Sequence, residues 1–370
     1  MSGLYIHIPF CYKKCSYCDF VSFGGRQDLL PPYLHALKKE AEKFKGAEID
    51  TVFIGGGTPS LMDTNQIQDL CAFLYQNFNI KSDAEFTMEA NPQSLTFDKI
   101  KASKDGGVNR FSVGAQSLTD SVLNDLGRSH TLKQFENAIE NIKKADIKNF
   151  NLDLIFALPG QTLEMWLKTL NKAVNYGSTH ISCYSLIIDE NTPLGVSYKR
   201  GEISLPSEET ERLMYKAIKE TLEKYGIYQY EVSNYAKKGY ECKHNIKYWQ
   251  AKEYIGLGCA AHSYYNGARY NNTLNLNDYI NQKDIVTNKE ILTKTDMQEE
   301  IIFLGLRMNR GIDLQGYKKR FNFDFISEYN TQIQKLKKLN LVDFNERYLY
   351  LTEKGMDILD SVVLEFIKEI

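Results

Sequence analysis

Three cysteines lie within eight residues near the start of the chain: Cys11, Cys15 and Cys18 in the stretch CYKKCSYC. A C-x3-C-x2-C loop can wrap three thiolates around one face of an iron–sulfur cubane, each ligating a different iron. A structural zinc would need a fourth ligand to close its tetrahedron. None lies nearby in sequence, for the next cysteine is Cys71, and His7 precedes the group on a strand-like run. Three thiolates without a fourth are a deficiency for zinc. For a cluster that must bind a substrate at one iron they are the requirement. The spacing therefore points to a [4Fe–4S] cluster on Cys11, Cys15 and Cys18.

Further candidates follow apolar runs. Gly55, Gly56, Gly57, Thr58 and Pro59 end one such run, and consecutive glycines let a ligand approach backbone N–H and C=O groups. Glu89 in MEANP, Gln116 in SVGAQS and Asp153 in NLDLIFALPG lie within or at the ends of others, and Arg128 in LGRSH is placed to meet a carboxylate. Taken singly, each of these is as readily a helix cap or a surface charge.

The elements that must position these groups read as βα units. Strand-like runs at Leu4–Ile8, Thr51–Ile54, Ala84–Glu89, Asn109–Val113, Phe150–Ile155 and His180–Leu186 alternate with amphipathic stretches at about 33–45, 65–78, 119–126, 133–144 and 163–175. Six such units imply a parallel sheet. Six is fewer than the eight of a closed TIM barrel, so the expected fold is α/β with an open or partial barrel. A domain of this kind is expected over 1–205, followed by an extension over 206–290 whose polar run at 271–290 reads as a linker. From about 291 to 370 the pattern of helix, small β-wing and last helix reads as a winged-helix-like module. Its acidic residues Asp343, Glu346, Glu353 and Asp357 argue against DNA, so protein docking is the expected role.

Here the chain resembles the radical SAM superfamily, whose C-x3-C-x2-C loop follows the first strand of a partial (β/α)6 barrel. The resemblance implies that S-adenosylmethionine (SAM) chelates the cluster's open iron and that one electron cleaves its sulfonium to a 5′-deoxyadenosyl radical. YIHIPFCYKKCSYCDF is similar to the coproporphyrinogen-oxidase-like branch. That match implies that Tyr5, Gly56 and Glu89 serve one SAM position, while Tyr17, Gly57, Thr58, Gln116, Arg128 and Asp153 line the adjacent one.

Two kinds of protein share these motifs, an oxygen-independent coproporphyrinogen III oxidase and the HemW-type haem chaperones. The oxidase pattern continues to a further cysteine where this chain has Phe20, and the oxidase carries an extension before its first strand, which this chain reaches at once. His244-Asn245-Ile246-Lys247-Tyr248-Trp249 matches the HNxxYW motif of the chaperones. A neutral imidazole is a suitable axial ligand for haem iron, and aromatic neighbours give a flat wall for a porphyrin face. His244 is therefore the expected haem ligand. The expected function is to bind haem and pass it to an acceptor haemoprotein, a respiratory one being the first expectation, with the cluster organising the assembly or a homodimer. SAM would be bound, or cleaved without the oxidase reaction. The alternatives are the oxidase itself and a radical SAM enzyme acting on another substrate.

The remaining composition fits this reading. A formal charge of −2 offers no attraction for nucleic acid. No apolar run approaches the roughly 18 residues of a membrane span, which leaves peripheral membrane contact at most. MSGLYIHIPF lacks the features of a secretory signal, so a cytoplasmic location is expected. In a reducing compartment the odd number of cysteines, seven, argues against a disulfide framework. Cys71 and Cys183 are expected to be small core hydrophobes. Cys242 could serve as a second soft ligand. His262, in GCAAHSYY, either borders a site or only packs.

Overall fold

A computed structural model describes residues 1–367. Strands β1 (Ser2–Ile8), β2 (Glu48–Gly56), β3 (Asn79–Ala90), β4 (Arg110–Gln116), β5 (Asn149–Phe156) and β6 (His180–Ser185) lie side by side in chain order and run parallel. Helices cross between them: α1 (Leu30–Ala41), α2 (Thr64–Asn77), α3 (Phe97–Asp105), α4 (Asp120–Asp125), α5 (Leu132–Lys144) and α6 (Leu163–Asn175). Such crossovers return each strand beside the last. Capping boxes at Asp63/Gln66 and Thr131/Gln134 start α2 and α5 by satisfying orphan backbone N–H groups.

Alternation along the strands explains both faces of the sheet. Leu4, Ile6, Val52, Ile54, Phe86, Met88, Phe111, Val113, Leu152, Leu154, Ile181 and Cys183 point to the helix-covered side and are essentially inaccessible. Cys71 on α2 lies in the same core, so both it and Cys183 are apolar packing groups. The opposite side carries Tyr5, Glu89, Arg110, Ser112, Asn151, Asp153 and Ser182 around an internal pocket. Parallel strands buried on both faces usually read as continuous apolar runs. Here one buried face is polar.

Two parts depart from the expectations. A seventh parallel strand, Tyr254–Leu257, pairs with the free edge of β1. Beyond it, the run at 271–290 is no linker. Strands His262–Tyr265, Ala268–Asn272 and Val286–Ile291 form an antiparallel meander on that edge, with a short helix Leu276–Ile280 between the last two. Two of its asparagines, Asn271 and Asn272, are buried, and the run is tied to the first helix through a buried carboxylate. Glu40 of α1 accepts from Asn272 Nδ2 at 2.6 Å, from the Gly258 N–H at 2.9 Å and from the Tyr279 hydroxyl. Buried polar groups are tolerated when they are paired.

The C-terminal part has its own core, built around Ile302, Leu306, Tyr317, Phe325, Ile333, Leu349 and Phe366. It combines helices with a three-stranded sheet of Ile312–Asp313, Tyr348–Leu351 and Val342–Phe344. Arg320 ties it to the meander, donating to the Tyr264 hydroxyl at 2.7 Å and to the Ala251 carbonyl at 3.1 Å. Among the described residues no helix is long and apolar enough to cross a membrane.

Candidate functional site

The cysteine loop leaves β1 and is held from three sides. On one side the Gly57 N–H donates to the Ile8 carbonyl at 2.9 Å and the Thr58 N–H to the Phe10 carbonyl at 2.8 Å. A Cβ at Gly57 would stand 2.7 Å from the Phe10 carbonyl oxygen and 2.9 Å from that of Ile8, so the glycine permits this approach. On the second side the Ser16 N–H donates to the Leu126 carbonyl at 3.1 Å. Arg128 Nη2 donates to the Gly114 carbonyl at 2.8 Å, and its Nη1 lies 3.5 Å from Cys15 Sγ.

The third tether is His7. Its Nε2 lies 2.9 Å from the Val21 carbonyl and must carry the proton, so Nδ1 accepts from the Tyr5 hydroxyl at 2.9 Å. Burial lowers the pKa of His7, which keeps this neutral tautomer in place. Tyr5 and His7 thus share one side of β1, as alternation requires.

The three thiols are half-buried and free of disulfides. Burial pushes Cys11 and Cys18 up, and the neighbouring Cys15 adds to this in both. The Thr58 hydroxyl, 3.5 Å from Cys11 Sγ, opposes the shift at Cys11. Among the described residues no three His, Cys, Asp or Glu side chains converge closely enough for one metal ion. The three cysteines share one loop and influence one another electrostatically.

The other candidates gather at the same end of the sheet, with the exception of Arg128, which reaches in from the loop after α4. Glu89 accepts from the Gly56 N–H at 3.0 Å. Burial, reinforced by Asp153, pushes Glu89 up to about 8. Asp153 is also raised by burial, and it accepts from Asn151 Nδ2 at 2.7 Å and the Ser112 hydroxyl at 3.1 Å. Gln116 ends β4 with a left-handed φ of 62°, a conformation that costs an L-residue roughly 1–2 kcal/mol. Tyr17 is held protonated by burial, with Arg128 beside it opposing the shift. Glu89, Arg110, Asp153, His244 and Tyr248 all line one internal pocket of about 320 Å³. Arg110 is buried there with its Nε unpaired. An acid–base pocket with a guanidinium nitrogen left unpartnered suits a zwitterionic, carboxylate-bearing ligand such as SAM.

Sequence reasoning missed Arg110, Ser112, Asn151 and His180. Their signal is polar alternation within buried parallel strands, as in RFSVG, NFNLDL and HISC. His180 completes the network, with Nδ1 2.7 Å from Asn151 Oδ1 and Nε2 2.9 Å from the Tyr230 hydroxyl.

His244 sits on the helix Lys243–Trp249, whose start is clamped by Glu85 of β3. The Glu85 carboxylate accepts from the N–H groups of Lys243 and His244 at 2.9 and 3.0 Å, the arrangement an acidic group favours at a helix N-terminus. Both ring nitrogens of His244 are engaged, Nδ1 with the Thr51 hydroxyl at 2.9 Å and Nε2 with the Tyr248 hydroxyl at 2.8 Å. Burial drives its pKa down to about 3, so the ring is neutral. Neither nitrogen is free for iron in this arrangement. Trp249 lines neither cavity and instead lies against Arg307 of the C-terminal part, 5.9 Å from ring to guanidinium. Cys242 is fully buried beside Glu85. His262 is exposed to a second cavity on the other side of Tyr248.

Known proteins resemble the chain over its whole length. The radical SAM superfamily model matches residues 5–173, and the HemN C-terminal domain model matches residues 292–358. The haem chaperone HemW of Lactococcus lactis is 36% identical over 99% of this chain and 97% of that protein. The chain belongs to the HemW family. The HemW of Bacillus subtilis is 34% identical, with both chains fully covered. Among solved structures, coproporphyrinogen III oxidase (HemN) from Escherichia coli superposes with a TM-score of 0.86 over 100% of this chain and 90% of that one, at 23% identity. The HemW relatives thus share this chain's fold with HemN. Membership of this branch of the radical SAM superfamily supports the use of SAM and of an iron–sulfur group.

Proposed function

We propose that this protein is a haem carrier, which binds haem and passes it to an acceptor haemoprotein. The observation that carries this reading is the placement of HNIKYW. Glu85 and Thr51 anchor its helix to β3 and β2, and Tyr248 lines both the SAM-sized pocket and the cavity beside the cysteine loop. The names of the HemW relatives support it. So does Phe20, which stands two-thirds exposed where the oxidase pattern has a cysteine.

In this reading residues 1–205 form a partial (β/α)6 barrel, 206–290 its extension and 291–370 a winged-helix-like docking module. Cys11, Cys15 and Cys18 would hold a [4Fe–4S] cluster. Glu89 would receive a ligand ammonium beside Gly56 and Tyr5. Arg128 and Asp153, with Tyr17, Gly57, Thr58 and Gln116, would frame the adjacent position. A bound cluster with SAM supplies one-electron chemistry, and the chain's own residues orient the ligands and exclude water. The acceptor would be reached in the cytoplasm or at a respiratory membrane through peripheral contact, by a monomer or a cluster-organised homodimer.

Titrating cluster-reconstituted protein with hemin and then adding an apo-haemoprotein tests this. A saturable Soret band that moves to the acceptor is expected. A protein that takes up no hemin would refute the carrier reading.

A further inference from the structure

The second cavity, of about 460 Å³, lies between β1, the cysteine loop and the meander. Its walls carry Tyr5, Tyr248, Tyr254 and Tyr264, with Phe20 exposed at the edge. A concave, largely apolar lining with a few polar groups is the usual setting of a small-molecule site.

His262 opens into this space. Of the six histidines, His7, His180 and His244 have both ring nitrogens engaged. His35 lies on the exposed face of α1 and His130 is buried. His262 alone combines an exposed ring, without a hydrogen bond among the described residues, with a place in a cavity wall.

Its backbone is firmly placed. Ala260, just before the strand, has a left-handed φ of 65°, which costs roughly 1–2 kcal/mol in an L-residue. The Ala260 N–H donates to the Thr273 carbonyl at 2.9 Å and the Asn272 N–H to the Ala261 carbonyl at 2.8 Å, so the strained turn is fixed by its surroundings. Gly256 on the neighbouring strand makes room, since a Cβ there would stand 2.0 Å from the His262 carbonyl oxygen.

The cavity's cations differ. Arg269 is engaged bidentately by Glu300, with its Nη2 2.8 Å from Oε2. Lys252, exposed on the same wall, has no ion pair or side-chain hydrogen bond among the described residues. An aromatic wall, a free imidazole and one unpaired cation match the three parts of an iron porphyrin, namely its face, its axial position and its propionate edge.

We propose that this cavity is where haem docks, with His262 as the axial ligand to iron and Lys252 as the partner of a propionate. The assignment rests on the haem-carrier reading and moves the ligand from His244 to His262. His244 then becomes a positioning residue that holds Tyr248 on the wall between the two cavities.

The test is a hemin titration of the full-length, cluster-reconstituted chain, comparing wild type with His262→Ala, His262→Gln, His244→Ala and Lys252→Glu, each checked for an unchanged far-ultraviolet dichroism spectrum. Expected are a shifted Soret maximum and about tenfold weaker binding for both His262 variants, roughly the loss of one good contact. Added imidazole should restore the band of His262→Ala, and Lys252→Glu should weaken binding without moving the band, whereas a displaced maximum in His244→Ala alone would return the ligand role to His244. A wild-type spectrum and affinity in both His262 variants would overturn the site while leaving the carrier reading intact. A wild type that binds no hemin would overturn both.

Discussion

The Tyr248 hydroxyl lies 2.8 Å from Nε2 of His244, one helical turn away, and locks the ring whose Nδ1 already meets Thr51. Residues four apart on a helix share a face, so the motif's own spacing builds this pair. Tyr248→Phe would leave a buried nitrogen without a partner, a loss of about 1–3 kcal/mol. A lower urea midpoint with an unchanged haem spectrum is expected, and a displaced Soret band would return the ligand role to His244.

Acid should unfold the protein through its buried histidines. His244 and His130 are both driven down to about 3 by burial, against about 6.5 in the unfolded chain. Between these values the unfolded state binds protons that the native state refuses. Their stabilisation is therefore present above pH 6.5 and lost as pH falls toward 3. Urea midpoints measured across that range should fall, and His130→Gln should flatten part of the slope. Parallel curves for the variant and wild type would contradict the assignment.

Glu89 should behave in the opposite sense. Its pKa is pushed up to about 8, so the native state keeps a proton that the unfolded chain releases near 4.5. Its contribution is full below about 4.5 and lost as pH rises through about 8. An ammonium-bearing ligand favours the carboxylate, so SAM binding at neutral pH should release a proton. Calorimetry in two buffers of different ionisation enthalpy should detect that release in wild type and miss it in Glu89→Gln.

Gly57→Ala should disturb the cysteine loop, because the new methyl group meets backbone rather than a yielding side chain. Overpacking of this kind costs roughly 1–3 kcal/mol. Iron and sulfide bound after reconstitution should fall together with the melting temperature, and full retention of both would show that the loop can shift.

Much of this was legible in the residues. The six apolar strand runs, the glycine-rich end of β2 and the cysteine spacing each report a local requirement, and local requirements survive in sequence. The helix Phe97–Asp105 was not read because only Ile100, Ala102 and Ser103 are buried along it, too few for a periodic signal. The run at 271–290 reads as a linker because it is rich in asparagine, and only the fold shows Glu40, more than 200 residues earlier, accepting from Asn272. The expected haem ligand rests on the HNxxYW match and on the chemistry of an imidazole. Whether a ring nitrogen is free depends on Thr51 and Tyr248, and the contact with Thr51 spans the fold.

A haem carrier of this kind binds haem and does not oxidise coproporphyrinogen. The most direct measurement is a paired assay on one anaerobically reconstituted, reduced sample with SAM, following hemin uptake by its Soret band and coproporphyrinogen conversion by product fluorescence after oxidation. Saturable haem binding without protoporphyrinogen formation is the predicted result. Sustained protoporphyrinogen production, with SAM consumed and no haem retained, would contradict it.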